Sequence, residues 1–289
     1  MSKTLTSGFK RMALPLFTLF VTWLAIRAYW WSVSHPWPLL DWRWVEEGLL
    51  KFIVWIVPAL AIASVVAIRR RASLSHTLGL NGVPAKGYLF GLAATLPMAA
   101  VAVLDSARPV GIDPFLGSVL LGPLAEEIFF RGFLFLMLVR FAGWPVLAAA
   151  LVSALAFGIA HRPGVDVQML FVLRLLSGGP DWATYAFRDF ERIAMSLAPF
   201  VVAGLLFAWI TYRWGSIWPA IGLHSFVNLW WERAEGDNGL ASLRRVAVEP
   251  LPLAHLLAVA IAIGLTFYVT RKPSYWPPRP RPVAGGPGI

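Results

Sequence analysis

The chain has 289 residues, of which 58% are hydrophobic and 14% are charged, and its net charge is +10 at pH 7. A soluble domain is about 45–50% apolar and about 25% charged, so this composition indicates a polytopic membrane protein rather than a soluble enzyme. The sequence contains no cysteine, which excludes disulfides, thiolate metal sites and a cysteine nucleophile.

Apolar windows of about 20 residues predict the membrane-spanning helices. Eight windows fit this description, at about 12–33, 49–68, 87–104, 115–139, 143–160, 193–212, 216–231 and 251–270. The sequence therefore predicts an all-α, polytopic membrane helical bundle of about eight transmembrane helices, forming a single domain over residues 1–271. The tail at 272–289 is rich in proline and glycine, and we expect it to be disordered.

The distribution of charge predicts the orientation of the chain. Basic residues gather in the loops on one side of the predicted membrane, at Lys3, Lys10, Arg11, Arg69, Arg70, Arg71, Lys86, Arg140, Arg213, Arg271, Lys272, Arg279 and Arg281. Acidic residues, apart from two inside a span, fall in the opposite loops. Lysine and arginine are concentrated in cytoplasmic loops, so this pattern predicts that both termini are cytoplasmic. The basic net charge is explained in the same way, and no nucleic-acid partner is predicted.

The span at 115–139 contains two adjacent carboxylates, Glu126 and Glu127, in an E-E-x-x-x-R motif that ends at Arg131. A charge at the centre of a bilayer costs roughly 2.5–3.5 kcal/mol on insertion scales, so charges at this depth indicate function. On a helix, Glu127 and Arg131 lie one turn apart and can pair. Glu126 is rotated from Glu127 by about 100°. The pattern predicts a supporting Glu127–Arg131 pair and leaves Glu126 free to act.

The next polar group at membrane depth is His161, at the end of the fifth predicted span. A Gly-Trp-Pro turn signal at 143–145 lies midway between Glu126 and His161. If the fourth and fifth spans form an antiparallel hairpin, its equal arms bring the two side chains to one depth. The sequence therefore predicts that Glu126 and His161 face each other. After His161, the apolar stretch at 165–176 fits either an interfacial or re-entrant helix or a simple surface helix.

A third polar cluster, His224 and Asn228, lies in the seventh predicted span. A spacing of four residues places the imidazole and the carboxamide on one helical face, where both can donate to a single oxygen. A polar contact between helices is the alternative explanation of such a pair.

These side chains suit two kinds of hydrolysis. In the first, Glu126 and His161 deprotonate a water molecule, while His224 and Asn228 form an oxyanion hole for the tetrahedral intermediate. In the second, Glu126, His161 and His224 hold a zinc ion whose bound water is the nucleophile. The sequence leaves both open, although the absence of H-E-x-x-H excludes the familiar zinc-binding helix.

The same motifs, in this order, resemble those of the CAAX-protease and bacteriocin-processing (CPBP) intramembrane proteases, also called the abortive-infection family. The resemblance covers residues 115–231 and is carried by E-E-x-x-x-R (Glu126, Glu127, Arg131), F-x-x-x-H (Phe157, His161) and H-x-x-x-N (His224, Asn228).

The resemblance implies a helical bundle that cleaves peptide bonds near the membrane end of a membrane-anchored protein substrate. It also implies a role for each matched residue: Glu126 and His161 activate the water, His224 and Asn228 stabilise the oxyanion, and Glu127 and Arg131 support the site. Members have been described both as metalloproteases and as glutamate-type proteases, so zinc stays open as a cofactor.

The predicted topology places His161 at the outer end of its span. An outward-opening site would suit an enzyme of the bacterial plasma membrane that cuts anchor or sorting segments of exported proteins.

Two other functions compete with proteolysis. A non-catalytic membrane partner or immunity protein would keep the polar cluster for packing, and a proton-coupled transporter would use the Glu–His pair as a relay. The sequence shows no inverted repeat of the kind many transporters contain, which disfavours the transporter.

Overall fold

The computed structural model describes residues 2–34, 44–104, 109–161, 182–235 and 250–271. Within these ranges every regular element is helical and no strand occurs, which confirms the predicted all-α class. The stretch at 165–176 and the tail at 272–289 lie outside the described residues.

We number the helices in chain order. They are α1 (Ser2–Ser34), α2 (44–70), α3 (Leu74–Thr77), α4 (Pro84–Ala94), α5 (Leu96–Leu104), α6 (112–140), α7 (Val146–Ala160), α8 (Trp182–Trp214), α9 (Trp218–Glu235) and α10 (Pro250–Val269). Helices α2 and α6 are continuous runs that mix α-type and π-type hydrogen bonding, with π-type stretches at Trp44–Leu50, Phe52–Ile56, Phe115–Leu121 and Ile128–Phe135.

Several described helices are long and apolar enough to cross a membrane. Three qualify singly, at Ala13–Val33, Gly48–Arg70 and Leu197–Trp214. A fourth candidate is the pair Pro84–Ala94 and Leu96–Val103, which is bent by 59°. These helices support an integral membrane protein, whereas the count of eight spans and the cytoplasmic termini stay predictions.

The chain divides into two compact units. The first comprises Met1–Leu78 and Ile112–Trp209, and the second comprises Gly79–Gly111 and Ile210–Ile289. We describe each unit by itself; the prediction of a single domain over residues 1–271 stays a prediction.

The first unit is organised around α6, whose side chains are buried at every position from Ala125 to Leu138. A helix that is apolar on all sides is expected to be buried, and this one also encloses the E-E-x-x-x-R motif. Helix α7 returns along α6 after a turn in which Gly143 has a φ of +73°, a left-handed conformation that glycine adopts readily. The Ser153 hydroxyl of α7 donates to the carbonyl of Phe130 at 2.8 Å and so ties the two helices together.

In the second unit, α4 and α9 meet through glycines. Gly87 and Gly91 form a G-x-x-x-G pattern on α4, and a Cβ atom added at Gly91 would collide with the backbone of Gly222 on α9. Small residues of this kind let the backbones of membrane helices approach closely. The contact therefore depends on the absence of side chains.

Next to this contact, the polypeptide bends between α4 and α5 at Thr95. The Thr95 hydroxyl donates to the carbonyl of Gly91 at 2.9 Å and accepts from the Trp230 indole nitrogen at 2.9 Å. Pro97 has no backbone N–H and so cannot continue the hydrogen bonding of α4, which explains the break at this place. Helix α5 then packs with α9 and α10 in an apolar cluster of Met98, Ala102, Trp230, Ala254 and Ala258.

The glycine contact yields a stability prediction. We expect Gly91→Ala to destabilise the protein by about 1–3 kcal/mol, because overpacking a tight contact has costs of this order. The matched control is Gly264→Ala on α10, where an added Cβ would meet nothing within 4 Å. Thermal unfolding of the detergent-purified variants checks this, and equal unfolding temperatures for the two variants would contradict the role of the contact.

Candidate active site

Glu126 lies at the centre of the first unit and is engaged through both carboxylate oxygens. Its side chain is 4% exposed, and its Oε1 atom lies 2.6 Å from Nζ of Lys51, which comes from α2. Its Oε2 atom lies 3.2 Å from Nε2 of His161, the residue that follows α7. The structure thus brings a carboxylate, an ammonium group and an imidazole together.

The contact between Glu126 and His161 confirms the prediction that the two residues face each other. Helix α6 ends at Arg140 and α7 begins at Val146, so the turn falls where the Gly-Trp-Pro signal at 143–145 predicted it. The arms on either side of this turn are nearly equal in length. They therefore place the carboxylate and the imidazole at matching positions along the hairpin.

The imidazole of His161 is held in one orientation. Its Nδ1 atom lies 2.8 Å from the carbonyl oxygen of Phe157, and because a carbonyl only accepts, Nδ1 is the donor. Its ring stacks on Phe200 with centroids 4.8 Å apart. The hydrogen bond at Nδ1 fixes the tautomer, so Nε2 is the atom left to exchange a proton with Glu126.

The Glu126–His161 pair is suited to acid–base chemistry. Nε2 of His161 and Oε2 of Glu126 lie 3.2 Å apart, within reach for the transfer of a proton between them. The Lys51 ammonium group beside Oε1 offsets the charge of the carboxylate. The His161 side chain is 22% exposed, whereas Glu126 is almost fully buried, so the pair lies at the edge of a dry interior.

Glu127 turns away from this cluster and pairs with Arg131, as the sequence predicted. Nε of Arg131 lies 3.1 Å from Oε2 of Glu127, and both side chains are fully buried. The guanidinium lies over the rings of Phe157, Phe207 and Phe130, at 4.2, 5.1 and 5.9 Å from their centroids. This aromatic enclosure, together with the ion pair, fixes the rotation of α6 and so fixes the direction in which Glu126 points.

Lys51 is the residue that sequence reasoning missed. The sequence analysis predicted that Glu126 is free to act and named no cation beside it, whereas in the structure Lys51 pairs with it. The signal was available: Lys51 is a cation within the predicted span at 49–68, and an ionisable residue inside a span indicates a functional site with a nearby partner. What the sequence could not supply was the identity of the partner, 75 residues further along the chain.

His224 and Asn228 belong to the second unit. Both lie on α9, which is continuous from Trp218 to Glu235, so they occupy one helical face as predicted. His224 is 7% exposed and Asn228 is half-buried. Their convergence with Glu126 and His161 around one substrate stays a prediction.

Two observations bear on the zinc alternative. Among the described residues, no group of three or more histidine, aspartate or glutamate side chains is placed to hold a metal ion. In addition, the Lys51 ammonium group lies on Oε1 of Glu126, where a metal bound to that oxygen would lie. Zinc therefore stays a prediction for the cofactor, and no step of the chemistry below passes through a metal.

Comparison with known proteins gives one match. Residues 111–230 match the family model of Rce1-like proteins, described as Type II CAAX prenyl endopeptidase Rce1-like. No curated protein and no solved structure matches the chain. The matched range contains all six residues of the predicted site: Glu126, Glu127, Arg131, His161, His224 and Asn228.

The buried pair of Glu127 and Arg131 yields a second stability prediction. We expect Arg131→Met to destabilise the protein by about 3–5 kcal/mol, because it leaves an unpaired charge in an apolar interior. The double variant of Arg131→Met with Glu127→Gln should be more stable than Arg131→Met alone, because it leaves no unpaired charge. Thermal unfolding of the two single variants and the double variant measures this coupling, and strictly additive losses would show that the pair is not formed.

Proposed function

We propose that this chain, whose residues 111–230 match the Rce1-like CAAX protease family model, is an intramembrane endopeptidase that uses a water molecule activated by Glu126 and His161. Its substrate is a membrane-anchored or exported protein.

One observation carries this proposal: the 3.2 Å contact between Oε2 of Glu126 and Nε2 of His161. A general base must be within hydrogen-bond reach of the proton that it accepts, either directly or through one water molecule. Here a carboxylate is nearly buried, has a cation on one oxygen and faces an oriented imidazole on the other. The imidazole is in part exposed, which gives water a way to the pair.

In the proposed reaction, Glu126 accepts a proton from water as the water oxygen bonds to the carbonyl carbon of the scissile peptide. The carbonyl oxygen becomes an oxyanion, and the N–H groups of His224 and Asn228 donate to it. When the tetrahedral intermediate collapses, the C–N bond breaks and a proton from the Glu126–His161 pair passes to the leaving amine. Atoms and charge balance without a covalent enzyme intermediate.

We propose the glutamate-type mechanism over the zinc-dependent one. The Lys51–Glu126 ion pair supports this choice, because an ammonium group already neutralises the carboxylate that a metal would need. The proposed location is a bacterial plasma membrane with both termini cytoplasmic, supported by the basic residues on one side of the spans. In this orientation the site opens outward and acts on C-terminal anchor or sorting segments.

Substitution tests the mechanism. We expect Glu126→Gln and His161→Ala to lower cleavage by about 10²–10⁴-fold, the usual contribution of a general base. Loss of an oxyanion donor in His224→Ala or Asn228→Ala should lower cleavage by about 10²–10³-fold.

Two assays measure cleavage. Terminal proteomics of cells with and without the protein names a substrate, and an internally quenched farnesylated peptide ending in C-a-a-X is a second probe. His255→Ala on α10 is the matched histidine control and should keep its activity.

Unchanged cleavage by Glu126→Gln and His161→Ala would contradict the protease mechanism. If no membrane or exported protein differs in its terminal segment between cells with and without this protein, the chain is a non-catalytic relative of the family.

Metal removal tests the choice between the two mechanisms. We expect the purified enzyme to keep its activity after dialysis against a chelator and to contain less than one zinc ion per chain by elemental analysis. Loss of activity on chelation, with recovery on adding zinc alone, would favour the zinc-dependent mechanism.

A further inference from the structure

We propose that Lys51 is a positioning residue for the catalytic carboxylate: its ammonium group holds Oε1 of Glu126, so that Oε2 stays directed at His161 and at the attacking water. This inference rests on the proposed function, because it assigns a role in the same reaction. Lys51 lies outside the matched range 111–230 and belongs to none of the family motifs.

The contact itself is short and buried. Nζ of Lys51 donates to Oε1 of Glu126 at 2.6 Å, and Lys51 is 7% exposed. Charge-assisted hydrogen bonds between an ammonium group and a carboxylate are about 2.7–2.9 Å long and roughly twice as strong as neutral ones. A lysine this deep in an apolar interior needs an anion beside it, and Glu126 is that anion.

Lys51 is also held in place by aromatic rings. Its Nζ atom lies 5.8 Å from the centroid of Tyr29 and 5.7 Å from that of Trp55. Trp55 is one turn further along α2, and its indole nitrogen donates to the carbonyl of Ala25 at 3.2 Å. Trp55 also stacks on Phe129 of α6, with centroids 5.5 Å apart. These rings therefore restrict the rotamers that the Lys51 side chain can adopt.

In this arrangement Glu126 is held at both of its carboxylate oxygens. A glutamate side chain has three rotatable bonds, and a single contact would leave its carboxylate free to turn. Lys51 from α2 and His161 beside α7 hold one oxygen each. The other charges near Glu126 on its own helix, Glu127 and Arg131, are paired with each other. Lys51 is therefore placed to set the direction of the carboxylate.

The experiment measures kcat and KM separately for three variants. The probe is the internally quenched farnesylated peptide ending in C-a-a-X. We expect Lys51→Met to lower kcat by about 100-fold, because a small displacement of a catalytic group can cost this much. KM should stay within about threefold, since Lys51 does not contact the peptide in this scheme. Lys51→Arg, which keeps the charge, should recover at least part of the loss. Lys86→Met is the matched control at an exposed lysine and should equal the wild type.

A stability measurement keeps the test independent of activity. Lys51→Met leaves a buried carboxylate without its cation and should unfold at a lower temperature than the wild type. The double variant with Glu126→Gln removes both charges and should regain stability without regaining activity. If the single and double variants show no coupling in thermal unfolding, the ion pair is not formed and the inference is wrong.

The outcomes separate this inference from the function on which it rests. Wild-type kcat in folded Lys51→Met, together with an inactive Glu126→Gln, would overturn the positioning role and leave the protease in place. Full activity in Glu126→Gln would overturn the proposed function itself. Loss of kcat in Lys51→Met with partial rescue by Lys51→Arg supports the inference, because a lysine that only stabilised the fold would not change kcat in folded protein.

Discussion

The structure of the first unit depends on the pairing of buried charges. Helix α6 is buried along its motif-bearing length, yet it carries Glu126, Glu127 and Arg131. Charges in an apolar interior persist only if each has a partner, because the desolvation cost is otherwise several kcal/mol per ion. Arg131 satisfies Glu127 from the same helix, and Lys51 satisfies Glu126 from α2. The two ion pairs balance two negative charges with two positive ones.

Adjacent glutamates can serve different purposes because a helix turns about 100° per residue. Glu127 is fully buried and pairs with the Arg131 guanidinium, which lies over phenylalanine rings. Glu126 points towards His161, whose side chain is 22% exposed. One carboxylate thus fixes the orientation of the helix, and the other is presented to His161. Glu126 points towards His161 because the Glu127–Arg131 pair fixes the rotation of α6.

Local periodicity made much of this predictable from sequence. The pairing of Glu127 with Arg131 follows from a spacing of four residues, and the meeting of Glu126 with His161 follows from a turn signal midway between them. Both need only the geometry of one helix or one hairpin. The hydropathy of the chain likewise indicated an all-helical membrane protein, which the described helices support. His224 and Asn228, the proposed oxyanion donors, share a helical face for the same reason.

The sequence by itself therefore determined the helical class, the pairs within a helix and the depth at which the hairpin brings acid and histidine together, because these depend on residues that are near one another along the chain. Only the tertiary structure decided that Lys51 is the partner of Glu126 and that Phe207 lies against Arg131. Contacts of this kind depend on which faces of distant helices pack together. That choice is made by the shapes of many side chains at once, and no spacing in the sequence records it.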